Sequence, residues 1–242
     1  MLFSILAGGN MREIIIGILL TIPVVLISLS VHESAHGYIA MKLGDHTAYN
    51  LGRVTINPLK HIDPLGALCM LALGYGWAKP VPINARNFKN PKVGMALTAI
   101  AGPVSNILLG IIGAALYTLT NIAYIVMIIN GAVLPEMVSI VIEVICTLFF
   151  YFGIMNFMLA AFNLIPVPPF DGSRFISLFL PTKVYFAIMK YEKFVMIGVL
   201  VGIIVLSRVF NFSPFAWIAE KAFFAVSNPI YQLFLIILDI VV

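Results

Sequence analysis

Residues Ile14–Met41 form an apolar run of 28 residues that holds two histidines and a glutamate, His32, Glu33 and His36, within one helical turn near its C-terminal end. A helix of that length crosses a hydrocarbon core of ~30 Å, because only internally hydrogen-bonded backbone is stable there. Ionisable groups inside such a helix are expensive, and by default they mark a functional site.

Further apolar runs follow, and the whole chain of 242 residues is 62% hydrophobic and only 10% charged, with a mean hydropathy of +1.07. Soluble domains run at roughly 45–50% apolar and about 25% charged, which excludes a soluble single-domain protein. The formal charge of +4 does not point to nucleic acid, because the basic residues concentrate in two loops. Lys42 to Lys92 carries seven of them against Asp45 and Asp63, and the loop after Asp171 carries Arg174, Lys183, Lys190 and Lys193. Both loops read as cytoplasmic by the positive-inside rule, with the N-terminus outside. Cys69 and Cys146 have no metal or disulfide spacing and read as packing residues. Met1–Asn10 lacks a basic residue, so a cleaved signal peptide is not expected.

The hydropathy pattern predicts an all-α polytopic membrane protein of about five to six transmembrane helices. After the first run, spans are expected at Gly94–Thr120, with Asn121–Pro135 as a short connection on the far side, and at Met137–Ile165. A shorter span is expected at Phe194–Leu206, and another at Ala222–Val242, interrupted at Ser227-Asn-Pro229. Leu65–Trp77 is apolar but too short to cross and reads as re-entrant or interfacial. Arg53–Asn57 and Lys79–Asn84 on either side of it have the Thr, Val, Ile and Pro content of edge strands, so a small membrane-associated β element is expected on the cytoplasmic side. With no repeat and no linker, residues 1–242 read as one membrane-embedded domain, its core at about 14–180 and its C-terminal helices at about 194–242.

His32-Glu-Ser-Ala-His36 matches HExxH. At ~100° per residue the two histidines lie ~40° apart on one helix face, close enough to hold one metal ion, while Glu33 reaches a water bound to it. The composition allows only ~0.002 chance occurrences in a chain this long. A hydrolytic zinc site needs a third protein ligand. The extended pattern with a third histidine fails, because Ile39 and Lys42 stand where it needs Gly and His, and a downstream glutamate fails because the next one is Glu136. Asp45, His46, His61, Asp63 and Asp171 remain. Asp171 is the strongest on position, at the end of a span in a proline-broken turn, whereas the other four sit in a polar loop where such residues are ordinary.

Three motifs in this order carry a resemblance: His32-Glu-Ser-Ala-His36, Gly102-Pro-Val-Ser-Asn106, and Asn163-Leu-Ile-Pro-Val-Pro-Pro-Phe-Asp-Gly172. They look like the motifs of the site-2 protease family of intramembrane zinc metalloproteases, over roughly residues 14 to 180. The compact chain is similar to the branch without PDZ or CBS modules. The resemblance implies that His32, His36 and Asp171 bind one Zn2+ per chain and that Glu33 is the general base. It also implies that Asn106 and Asn163 hold the substrate or the oxyanion. Where many members have Asp-Gly-Gly-His, this chain has Asp171-Gly-Ser-Arg174. The implied partners are a membrane-anchored protein substrate and the bilayer, at the cell membrane with the active site towards the cytoplasm; homo-oligomerisation is left open. The competing readings are a membrane metal transporter and a non-proteolytic metal-binding protein on the same scaffold. A transporter would need further polar residues at other depths, and a purely structural site would not need Glu33.

Overall fold

The structure, a computed structural model, describes residues 11–64, 66, 78–181, 183–184, 187, 190–210 and 212–241. In chain order the helices are α1 (Met11–Lys42), α2 (Thr47–Asn50), α3 (Pro91–Ile129), α4 (Glu136–Asn163), α5 (Asp171–Ile176), α6 (Glu192–Val209) and α7 (Pro214–Val241). Two 3-10 turns, Pro58–Lys60 and Ala85–Asn87, lie between α2 and α3.

Among the described residues four helices, α1, α3, α4 and α7, are long and apolar enough to cross a membrane, against the five to six expected. The predicted short span at Phe194–Leu206 falls in α6, whose apolar part, Lys193–Ser207, is below that length. Helix α7 begins at Pro214, where a proline costs nothing because the first-turn N–H has no helical partner, and it continues through Pro229. The expected connection after Thr120 is helical as far as Ile129, since Asn121–Ile129 contains no residue that stops a helix. The stop comes at Gly131, whose φ of 76° is the left-handed conformation glycine adopts freely, with the Ala132 N–H returning to the Met127 carbonyl.

The expected strands do not form among the described residues, where the β structure is one antiparallel bridge between Ile62 and Ala78. Pro80 and Pro82 carry no N–H, so a ladder along Lys79–Asn84 would lack alternate donors. Side chains hold this segment instead. Glu33 accepts from the Val81 N–H at 2.9 Å and Asp45 from the Asn84 N–H at 2.7 Å, while Arg53 donates to the Lys79 carbonyl at 2.7 Å. Cys69 and nearly all of the Leu65–Trp77 stretch lie outside the described residues.

Two compact units emerge from the contacts. The first comprises Met1–Val25, Ile107–Met158 and Ala216–Val242. Its core is Ala114, Phe157, Ala219 and Phe223, and small residues let the backbones meet: a Cβ on Gly113 would come within 2.6 Å of the Gly153 nitrogen. Phe223 makes an edge-to-face contact with Phe150 here, ring centres 5.2 Å apart. The second unit comprises Leu26–Asn106 and Leu159–Phe215, and in it Phe215 meets Phe162 at 5.4 Å. All of the chemistry singled out from the sequence falls in the second unit.

Candidate metal centre

Helical spacing puts His32 and His36 on one side of α1, and the break after α4 brings in Asp171. Helix α4 ends at Asn163, and Pro166, Pro168 and Pro169 deny the following residues helical hydrogen bonds. The chain folds back tightly at Gly172, where any side chain would strike the Leu164 carbonyl. Asp171 thus opens the single-turn helix α5 with its carboxylate towards the histidines.

The donor atoms form a small triangle. His32 Nε2 lies 3.1 Å from His36 Nε2 and 3.1 Å from Asp171 Oδ2, and His36 Nε2 lies 3.3 Å from the same oxygen. A tetrahedral zinc with bonds of ~2.0–2.2 Å to N and O sets its donors ~3.3 Å apart, so the triangle has the size such an ion needs.

The far sides of both rings say which electrons face inward. His32 Nδ1 donates to the side-chain oxygen of Asn106 at 2.5 Å, and His36 Nδ1 donates to the Thr98 carbonyl at 2.7 Å. With the protons on Nδ1, both Nε2 atoms present lone pairs to each other and to a carboxylate. Three such groups in contact require a positive charge among them, and this is the test the residues pass for a cation. Gly102 completes the fit: a Cβ there would lie 2.5 Å from His36 Nε2 and 2.6 Å from His32 Nε2, so only glycine lets α3 pass this close to the two donor nitrogens.

A cavity of about 190 Å³ opens beside the triangle, lined among others by Glu33, Val81, Asn163, Asp171 and Arg174. Glu33 is not in the triangle; its carboxylate holds the Val81 N–H. Asn163 faces the cavity but uses one amide hydrogen on the Leu159 carbonyl at 3.0 Å. Asn106 is fully buried behind His32 and does not line the cavity.

Of the five residues weighed as a third ligand, only Asp171 reaches the histidines among the described residues. Asp45 is a hydrogen-bond hub for the Asn84–Asn87 turn, and His46 contacts the Gly44 carbonyl. His61 donates to the Thr55 carbonyl at 2.8 Å, and Asp63 accepts from the Gly66 N–H at 2.8 Å. Two residues were passed over in the sequence. Thr98 acts through its backbone carbonyl, which leaves no trace in residue type. Arg174 did leave a signal, as the cation in Asp171-Gly-Ser-Arg174.

Residues 20–207 match the family model for Peptidase family M50. The chain is 39% identical over 170 residues to a Bacillus subtilis (strain 168) protein named "Putative zinc metalloprotease YwhC", a match covering 70% of this chain and 73% of that one. It is 28% identical over 92 residues to "Putative zinc metalloprotease Rip2" of Mycolicibacterium smegmatis (strain ATCC 700084 / mc(2)155), covering 36% of this chain and 35% of that one. No solved structure gives a significant match.

Proposed function

The chain belongs to Peptidase family M50, and from that premise we propose how its residues carry out intramembrane proteolysis. The protein is a multi-pass, zinc-dependent protease of the site-2 type. His32, His36 and Asp171 hold one zinc ion, Glu33 is the general base, and Asn163 binds substrate. The observation that carries this assignment is the triangle of donors with both Nδ1 protons turned away from it. Asn106 acts through His32, whose ring it orients.

Zinc held by these residues would supply Lewis acidity, polarising the scissile carbonyl and lowering the pKa of a water towards ~7. Glu33 takes the proton of the attacking water and passes it to the leaving amine. The Val81 N–H fixes the carboxylate for that role while leaving its second oxygen to reach the water. A peptide bond in a transmembrane helix is shielded by its own hydrogen bonds, so the substrate must unwind, and its exposed backbone groups then need partners. The extended Lys79–Asn84 segment at the cavity wall meets them chiefly through main-chain carbonyls, since its N–H groups are removed by proline or engaged at Lys79, Val81 and Asn84.

The site faces the cytoplasm, because the loops that contribute to it carry the basic residues. In this reading α1, α3, α4 and α7 are the four crossings and α6 stays on the cytoplasmic side, so the N-terminal end of α1 and the C-terminal end of α7 lie outside. The whole chain works as one protease domain on membrane-anchored proteins.

The test is cleavage of a single-pass reporter by purified protein, with metal analysis. Zinc near one per chain, loss of that zinc in His36→Ala and Asp171→Ala, and chelator-sensitive cleavage are expected. Glu33→Gln should keep the zinc and lose cleavage by ~10²–10⁴-fold. Full zinc occupancy in Asp171→Ala, or retained cleavage in Glu33→Gln, would overturn the assignment.

A further inference from the structure

Arg174 stands three residues after Asp171 on α5, so the two side chains leave the same face of that turn, and both line the cavity. Among the described residues it is the only lining side chain that is always positively charged. No ion pair or hydrogen bond joins its guanidinium to another described residue, although two carboxylates line the same space. Both are committed elsewhere, Asp171 to the histidines and Glu33 to the Val81 N–H. Asn163, the other donor side chain in the cavity, has already used one amide hydrogen on Leu159. The half-buried Arg174 thus lines the cavity, and none of its five N–H donors has a partner among the described residues.

From this we infer that Arg174 is a catalytic residue that donates to the scissile carbonyl oxygen as it becomes an oxyanion. The reading rests on the metalloprotease assignment of the same site. At about 190 Å³ the cavity is smaller than the ~300–1,000 Å³ of ordinary ligand pockets, so a peptide group set against the three metal-binding donors lies beside Arg174 as well. Charge selects the step at which Arg174 acts. With neutral imidazoles and a divalent cation in place, the two carboxylates balance the ion, and the guanidinium is the excess positive charge. The bound peptide is neutral, whereas the addition of water puts a full negative charge on the carbonyl oxygen. Arg174 consequently stabilises the transition state more than the ground state, and its contribution belongs in kcat. When the C–N bond breaks and the amine takes its proton from Glu33, the carbonyl re-forms and the charge on its oxygen is discharged.

The experiment compares wild type with Arg174→Met and Arg174→Lys on a fluorogenic single-pass reporter in detergent. It records kcat, KM and zinc content, together with the inhibition constant of a phosphinic peptide built on the cleaved reporter sequence. Arg174→Met should lose ~10²–10³-fold in kcat, the usual cost of an oxyanion donor, with KM within about threefold and zinc still near one per chain. Its affinity for the anionic phosphinate should fall in parallel with kcat, and Arg174→Lys should recover part of both. A rise in KM at unchanged kcat would overturn the inference and make Arg174 a ground-state substrate contact. Unchanged kinetics or lost zinc in Arg174→Met would overturn it too. Failure of the underlying protease reading looks different, since wild type itself would then lack zinc-dependent cleavage, or Glu33→Gln would retain it.

Discussion

The Nδ1 of His32 lies 2.5 Å from the side-chain oxygen of Asn106, and both residues are buried. The Asn106 amide nitrogen faces the Ser28 carbonyl at 3.5 Å, which sets the amide the right way round to accept from the imidazole. Removing the acceptor leaves a buried N–H unpaired and lets the ring exchange tautomers. Asn106→Ala should weaken zinc binding by ~10–100-fold, the usual cost of losing such a partner, while Asn106→Asp keeps an acceptor in place and retains most of the affinity. Competition against a chelator of known affinity measures both.

Gly102→Ala tests the close approach of α3. Its methyl group would meet both Nε2 atoms at about 2.5 Å, so either the helix shifts or the histidines turn away. A fall of at least tenfold in zinc affinity is expected, with helical content by circular dichroism unchanged. Normal zinc binding in the alanine variant would mean that α3 does not pass the ligands so closely.

Asp45 predicts a pH dependence of stability. Burial alone would raise its pKa, but hydrogen bonds from the Thr47 hydroxyl and N–H, the Asn84 N–H and the Asn87 amide outweigh it and hold the pKa below its ordinary 3.8. A depressed folded pKa adds stability above the unfolded value, and that stability is lost as pH falls through the folded one. Asp45→Asn should cost on the order of 1–2 kcal/mol at pH 7. The gap from wild type should narrow below about pH 4. Thermal unfolding of metal-free protein at pH 7, 5 and 3 checks this; a gap independent of pH would count against it.

Topology can be read with single cysteines. A membrane-impermeant thiol reagent applied from outside should modify a cysteine at Asp239, at the far end of α7, and leave one at Lys89 untouched. A full crossing by α6 between α4 and α7 would place Asp239 inside, and the reagent would then miss it.

The grouping of the three donors was readable wherever it rests on local geometry. His32 and His36 announce themselves through helical spacing, and Asp171 through a charge at a proline-broken helix end. The asparagines were found by motif, but their uses depend on what lies beyond their own helices: Asn106 reaches back to α1, and Asn163 spends part of its amide on α4. The errors in the fold share one cause. Val and Ile content suggested strands at Arg53–Asn57 and Lys79–Asn84, yet pairing depends on N–H groups that Pro80 and Pro82 remove and that Glu33 and Asp45 occupy. Apolar composition likewise set the length of α3 less well than the glycine that ends it.

The two histidines of the triangle are braced unequally, His32 by a side chain and His36 by the Thr98 main-chain carbonyl. A saturation screen for lost activity would find the first brace and be nearly silent at the second, because no ordinary substitution deletes a carbonyl. Thr98 also has a buried hydroxyl without a partner among the described residues, so Thr98→Val should be neutral or slightly stabilising in thermal unfolding. Half of the orientation of this donor triangle is thus carried in a form that mutation can barely reach, and tolerance at position 98 would say nothing about its importance.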